Sequence, residues 1–282
     1  MIRVYHKTDR SACINYEHFV FFLKFKVDLR LDFYTDICKG GKVMSYQAIF
    51  KRYEMKYMIT LEQKEKIVEA MQPYMALDKY GRTTIRNIYY DTDNYRLIRR
   101  SIEKPVYKEK LRVRSYFQAE EESPVFVELK KKYQSVVYKR RLSMPQNKAM
   151  NWLCGKENSR QSIQIENEIQ YFLDYYKDLK PVVFLSYERE AYFSHDGSDF
   201  RVTFDDTILC RQSDLSLTSQ VCGESILEEG KVLMEIKTSG GIPLWMTKIL
   251  SKEKVYKTSF SKYGTAYETM IFSKKNGGYI YV

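Results

Sequence analysis

The chain has 282 residues, 47 Lys and Arg against 36 Asp and Glu, a formal charge of +11, and 44% hydrophobic and 15% aromatic content. That apolar share excludes disorder as the dominant state, and 12 Gly and 6 Pro are too few for a collagenous or linker-rich chain. The longest uninterrupted apolar run, Phe19 to Leu23, is far short of the roughly 20 residues a membrane-spanning helix needs, so one soluble domain is expected.

Residues 1–43 mix aromatic and basic side chains (Phe19, Phe21, Phe22, Lys24, Phe25, Lys26) with no sustained helical or alternating period and no signal-peptide cleavage pattern. The segment from Ser45 to Tyr57 then reads as a well-patterned strand. Met44 is therefore read as the functional start, residues 1–43 as an appendage, and residues 44–282 as the domain. Without the appendage 39 basic and 31 acidic residues remain, so the basic excess, +8, belongs to the domain. Thr60 and Gln63 have capping-box spacing, and Ile67, Val68, Met71, Tyr74 and Met75 recur at helical intervals, which predicts a helix over 60–76. Alternation and β-branched or aromatic content predict strands at 84–91, 107–117, 124–132, 135–142, 182–193, 199–206 and 231–238. Helices are expected at 145–154, ending at Gly155, at 162–179 with Ile165, Ile169, Phe172, Leu173 and Tyr176 on one stripe, and at 243–251, opening on Pro243. The polar stretch 211–229 is expected to be a surface loop. The class is α+β, dominated by strands.

Successive side chains of a strand point to opposite faces, so a period of two sorts them. At 107–117 one face collects Lys108, Lys110, Arg112, Arg114 and Tyr116, against Tyr107, Glu109, Leu111, Val113 and Ser115 on the other. The next strand puts Glu128, Lys130 and Lys132 together, and the one after it aligns Lys139 with Arg141. Tyr187 shares a face with Arg189, Arg201 with Thr203 and Asp205, Glu235 with Lys237, and Glu54 with Lys56. For any single strand a solvated sheet face explains such a row. Adjacent like charges repel across strands, however, and seven strands that keep returning Lys and Arg to one face predict a polyanion between them. The alternation points to a basic concavity or barrel interior that receives several phosphates.

Five scattered cysteines, Cys13, Cys38, Cys154, Cys210 and Cys222, fit a reducing compartment and argue against a disulfide framework or a zinc site. With only His6, His18 and His195 in the chain, imidazole chemistry has little material, so any metal is expected to be oxygen-ligated. Trp152, Trp245 and Cys154 are expected to be buried packing residues.

The ordered set Glu54-Met55-Lys56, Ile88-Tyr89-Tyr90-Asp91-Thr92, Lys110-Leu111-Arg112-Val113-Arg114, Val127-Glu128-Leu129-Lys130, Ser186-Tyr187-Glu188-Arg189 and Met234-Glu235-Ile236-Lys237 resembles the polyphosphate polymerase domain of the vacuolar transporter chaperone (VTC) complex, within the triphosphate tunnel metalloenzymes or CYTH superfamily. The resemblance spans about residues 46–270. It implies an antiparallel β-tunnel, a closed barrel with a basic interior flanked by helices, that uses Mn²⁺ or Mg²⁺ to move the γ-phosphoryl of ATP onto a growing inorganic polyphosphate chain. Matched motif by motif, it implies catalytic roles for Lys56, Arg112, Arg114, Arg189 and Lys262. Lys110, Lys130, Lys139, Arg141, Lys237 and Tyr187, with Arg201 as a looser match, would bind phosphate. Glu235 would hold the metal, and Glu54 and Glu128 on the same faces suit such a site. No P-loop is required, and neither Gly40-Gly41-Lys42 nor Gly240-Gly241 is one.

Arg52 stands where the hydrolases of that superfamily carry the first glutamate of Glu-x-Glu-x-Lys, which favours holding a long polyanion over activating water. The rival readings are a tripolyphosphate or nucleoside-triphosphate hydrolase of the same fold and a non-catalytic module binding polyphosphate or nucleic acid. Nucleic acid is not expected as a partner, because Tyr171, Tyr175 and Tyr176 fall in a helix where packing accounts for them. A cytoplasmic location is expected, at the inner membrane face only through a membrane-protein partner chain, since translocation would need one.

Overall fold

The computed structural model describes residues 53–134, 136–157 and 163–272, all within the unit Ile49–Val282. Residues 1–43, the start of the first expected strand and Arg52 lie outside the described residues. The elements run β1 (Tyr53–Thr60), α1 (Leu61–Met71), β2 (Met75–Leu77), β3 (Thr83–Asp91), α2 (Arg96–Ile102), β4 (Tyr107–Tyr116), β5 (Pro124–Tyr133) and β6 (Val136–Pro145). They continue through α3 (Gln146–Leu153), α4 (Gln164–Tyr176), β7 (Lys180–Ser194), β8 (Arg201–Arg211), β9 (Glu224–Ser225), β10 (Lys231–Thr238), α5 (Leu244–Lys252), β11 (Lys257–Thr258) and α6 (Lys262–Ala266), which runs on as a π-helical turn, Tyr267–Phe272.

All eleven strands join one antiparallel sheet in the order β11-β1-β10-β8-β7-β3-β4-β5-β6, with β2 added to β7 and β9 to β8. Between the two ends of that path no backbone ladder is formed among the described residues. Side chains on the concave face reach across from one half of the sheet to the other. Lys130 Nζ on β5 reaches Glu54 Oε2 on β1 at 3.6 Å, and Lys110 Nζ on β4 donates to Ser261 Oγ beyond β11 at 3.1 Å. The result is an antiparallel β-tunnel flanked by helices, with side-chain contacts across its concave side.

Three apolar clusters hold it. On the convex side of β3–β6, Leu111, Val113, Val127 and Leu129, all fully buried, pack against Trp152 of α3 and Ile169 and Phe172 of α4. Each such side chain contributes about 1.5–3 kcal/mol. The convex side of β1, β8 and β10 is covered by Ile67 and Met71 of α1 and Met246 and Leu250 of α5. A third cluster fills part of the concave side, where Tyr89, Leu185, Tyr187 and Leu233 meet Tyr263 and Ala266 of α6. Two faces of one sheet are thus buried by different means, and only the remaining concave surface is left to charge.

Helix α1 opens on the expected capping box: Thr60 Oγ1 accepts from Gln63 N at 3.1 Å and Gln63 Oε1 from Thr60 N at 3.0 Å. It stops at Met71 rather than 76, because Pro73 has no N–H to continue the ladder, and Met75 enters β2 instead, opposite Ser194. Helix α4 ends at Lys177, whose φ of 50° breaks the helical path. Trp152 is buried, with Nε1 donating to Gln170 Oε1, and Trp245 stacks on Tyr74 at 4.4 Å. Cys154, expected to be buried, is exposed at the C-cap of α3, because the helix ends there and the chain turns at Gly155. No helix among the described residues is long and apolar enough to cross a membrane.

Candidate functional site

The pleat does what the alternation predicts. Register places Lys56 opposite Glu235, Glu54 opposite Lys237, Arg112 opposite Glu128, Glu128 opposite Arg141 and Arg189 opposite Asp205, all on the concave face. The charges there form two nests.

Glu128, 1% exposed, is the centre of the first. Its Oε2 accepts from Arg112 Nε at 2.8 Å, and its Oε1 accepts from Arg141 Nε at 2.7 Å and meets Lys139 Nζ at 2.7 Å. Burial pushes the carboxyl up, but Arg112, Arg114, Lys139 and Arg141 outweigh it and hold the group far below the usual carboxylate range. The guanidiniums are fixed again from behind. Arg112 Nη1 donates to Tyr89 Oη at 2.9 Å, Arg114 Nε to Asn87 Oδ1 at 2.9 Å, and Arg114 Nη2 to Tyr187 Oη at 3.1 Å. Tyr187 is lowered despite its burial, because Arg114, Arg189 and Lys262 surround it.

The second nest spans β1, β7, β8, β10 and α6. Asp205, fully buried, takes a bidentate pair from Arg189 at 2.6 Å through each oxygen and a 2.5 Å contact from Lys262 Nζ. Lys262 also lies 3.3 Å from Glu235 Oε1, and Lys237 Nζ lies 2.9 Å from Glu235 Oε2. Lys56 Nζ sits 3.5 Å from Glu54 Oε1 and 3.7 Å from Glu235 Oε1, and donates to the Phe260 carbonyl at 2.8 Å. Burial raises Glu54, yet Lys130, Lys237 and Lys56 bring it down to about 2. Glu235 is likewise held well below its ordinary value against its own desolvation, by Lys237, Lys262, Lys56 and Arg189.

Between the nests the sheet sets like charges directly opposite one another: Lys108 faces Lys132, Lys110 faces Lys130, and Lys130 faces Lys139. Such pairs are destabilising. Burial, with Lys130, Lys108, Lys56 and Arg112 beside it, lowers Lys110 to about 7. Lys139 falls to about 7 through burial in spite of Glu128. Lys130 is lowered overall, although its largest influence, Glu54, raises it. Lys130 and Lys139 reach Glu54 and Glu128, whereas Lys108 and Lys110 bond only neutral oxygens, the Ser101 carbonyl and Ser261 Oγ.

A family model described as the VTC domain matches residues 51–271. The chain belongs to the VTC-domain family. No curated protein matches the sequence. Among solved structures, the VTC-domain chain is similar to a Bacillus halodurans protein provisionally described as an adenylate cyclase, at 14% identity over 76% of this chain and 94% of that one, TM-score 0.47. It is similar to a Hippeastrum protein described in the same way and found to have a dominant triphosphatase activity, at 11% identity over 80% and 96%, TM-score 0.46. The PH1819 protein of Pyrococcus horikoshii gives 17% identity over 80% and 98%, TM-score 0.41.

Of the residues expected from sequence, the first nest gathers Arg112, Arg114, Glu128, Lys139, Arg141 and Tyr187, and the second gathers Glu54, Lys56, Arg189, Glu235, Lys237 and Lys262, with Lys110 and Lys130 between. Arg201 lies further along the face, its guanidinium 4.6 Å from the Phe193 ring centroid. Glu128, expected to suit a metal site, has its two oxygens engaged by Arg112, Lys139 and Arg141, with Arg114 Nε at 3.9 Å, and holds these four cations together. Among the described residues no group of three or more His, Cys, Asp and Glu is arranged to hold a metal. Glu235 and Glu54, both beside Lys56, nevertheless suit a hard cation that takes the rest of its shell from water and phosphate oxygens. Sequence reasoning missed Asn87 and Tyr89 as supports for the arginines and assigned Asp205 no role of its own. The signal was present, since Asn87, Tyr89 and Asp91 share one face by alternation, but neutral side chains do not announce what they hold.

Proposed function

We infer that this VTC-domain protein is a metal-dependent polyphosphate polymerase that transfers the γ-phosphoryl of ATP to the end of an inorganic polyphosphate chain inside its tunnel, and that residues 44–282 form the working domain. The observation that carries this reading is the facing lysines: three cross-strand Lys–Lys pairs, of which Lys108 and Lys110 bond only neutral oxygens, line a surface that a polyanion would satisfy. A terminal phosphate oxygen of the chain would attack the γ-phosphorus while the bond to the β-bridging oxygen breaks, so that ADP leaves and the chain grows by one phosphate. A phosphate terminus is already nucleophilic, so the work for the protein is positioning and charge stabilisation.

Lys110, Lys130 and Lys139 would bind the chain as point charges. Arg112 and Arg114, locked by Glu128, Asn87, Tyr89 and Tyr187, would offer their remaining N–H groups to the equatorial oxygens of the transferring phosphoryl. Arg189 and Lys262, fixed by Asp205 and lying over the ring of Tyr187, would do so beside them. Glu235 with Glu54 would hold Mn²⁺ or Mg²⁺, which would supply positive charge against the charge developing on the phosphate oxygens. A membrane-protein partner chain would be needed for any translocation of the product.

The test is product analysis. Full-length protein with ATP and Mn²⁺ or Mg²⁺, with and without a short polyphosphate primer, should release ADP and accumulate polymer. Phosphate release without polymer would assign the hydrolase, and tight polyphosphate binding without turnover would leave a binding module.

A further inference from the structure

The carboxylate best placed for a metal is also the one most thoroughly occupied. Glu235 has Lys237 at 2.9 Å, Lys262 at 3.3 Å, Arg189 at 3.6 Å and Lys56 at 3.7 Å, two cations on each oxygen. Through Asp205 and Glu54 the network extends to Lys130, giving five cations against three carboxylates, an excess of two positive charges before any metal arrives. A divalent cation approaching Glu235 alone would have to displace at least one ammonium group and then sit among the others in a region largely shielded from water, where like charges are weakly screened. Glu235 is only 5% exposed, so solvent cannot compensate.

Polyphosphate changes this balance. Lys56, Lys130 and Lys237 are half-buried, flexible, and carry three donors each, so an anion in the lumen can draw their ammonium groups off the carboxylates without moving the backbone. Arg189 and Lys262 stay on Asp205, which holds them at 2.5–2.6 Å. Glu235 is then released to a metal that the phosphate oxygens also bind. We propose that Lys56 and Lys237 act as resident counterions of Glu235, so that the tunnel takes up its divalent metal only together with a polyphosphate chain and not as the free ion. This rests on the polyphosphate reading for the identity of the anion alone; polymer synthesis is not required for it.

The test is Mn²⁺ binding to metal-free, full-length protein, read by equilibrium dialysis and Mn²⁺ electron paramagnetic resonance, with tripolyphosphate binding followed separately by calorimetry. Mn²⁺ alone should show no saturable site lost on Glu235→Gln. Tripolyphosphate alone should bind, and the two together should retain one Mn²⁺ per chain, which Glu235→Gln loses while still binding tripolyphosphate. Lys237→Gln removes one of the counterions and should tighten binding of Mn²⁺ alone by about tenfold, a gain that the added Glu235→Gln substitution cancels. Lys56→Gln should act in the same direction, so a single poorly folded variant does not decide the matter. Tight Mn²⁺ binding by the unsubstituted protein without tripolyphosphate, or no gain in Mn²⁺ affinity in either lysine variant, would overturn the proposal. A protein that binds tripolyphosphate and Mn²⁺ in this order yet makes no polymer would keep this inference and lose the polymerase.

Discussion

Glu128 shows how one buried carboxylate sets the character of a whole surface. It keeps Arg112, Arg141 and Lys139 within hydrogen-bonding distance of one point, and without it they would repel. Glu128→Gln should therefore lower stability by about 3 kcal/mol, read as a fall in Tm, and added tripolyphosphate should raise the variant's Tm by more than it raises that of the parent protein. Arg112→Ala and Arg114→Ala should each reduce kcat by about 10²–10³ with the fold retained, as measured by ADP release, because each removes donors aimed at transition-state charge. The pH response follows from Lys110. In the free tunnel it titrates near 7, held down by burial and neighbouring cations. A bound polyanion raises it, so binding takes up a proton: affinity for tripolyphosphate is greatest below pH 7 and declines as pH rises through the raised value. Calorimetry in buffers of different ionisation enthalpy should show proton uptake at pH 7.5, and Lys110→Gln should remove about half of it, since Lys139 is also lowered to about 7. The charged residues were legible because Lys and Arg at alternate positions declare their face. Asn87 was not, since nothing in its type distinguishes a support for Arg114 from a solvated turn residue.

Helix α6 is the element whose contribution to the site exceeds its length. Over three consecutive residues the chain presents the Phe260 carbonyl to Lys56, Ser261 Oγ to Lys110 and Lys262 Nζ to Asp205. It is tied down by Tyr263, which stacks on Tyr89 at 4.7 Å and donates to Asp91 Oδ2 at 2.9 Å. Asp91 in turn accepts from the N–H groups of Leu97 and Ile98, so one carboxylate joins β3, α2 and α6. Tyr263→Phe should cost about 1–3 kcal/mol and loosen Lys262, seen as a lower Tm and a kcat loss smaller than that of Lys262→Ala. The long strands and the helices at α1, α3, α4 and α5 could be read from periodicity because each buries one face against the sheet. Helices α2 and α6 could not. They are only seven and five residues long, too short for a period to show, and their ends are satisfied by Asp91 at the end of the preceding strand and by Ser261. The short strands β2, β9 and β11 exist only because a longer neighbour offers an edge to pair with.

At the scale of the whole tunnel, a sheet with its convex side buried by helices can leave its concave side charged only if something neutralises that charge. Two nests do so locally and take in Lys130 and Lys139, whereas Lys108 and Lys110 meet only neutral oxygens, and a polyanion would satisfy them. The tunnel was legible in sequence as a set of alternating strands, whereas the contact of Lys130 with Glu54 was not, because alternation fixes which face a side chain takes and not which strands meet. Screening gives one check: raising ionic strength from about 0.05 to 0.5 M should weaken tripolyphosphate binding by about tenfold or more. The most direct test of the central claim follows the label of [γ-³²P]ATP in full-length protein with Mn²⁺ and a short polyphosphate primer. Label should appear in lengthening polyphosphate, with one ADP formed for each phosphate added, and Glu235→Gln should lose both. Label appearing only as free phosphate, with the primer unchanged in length, would contradict that claim.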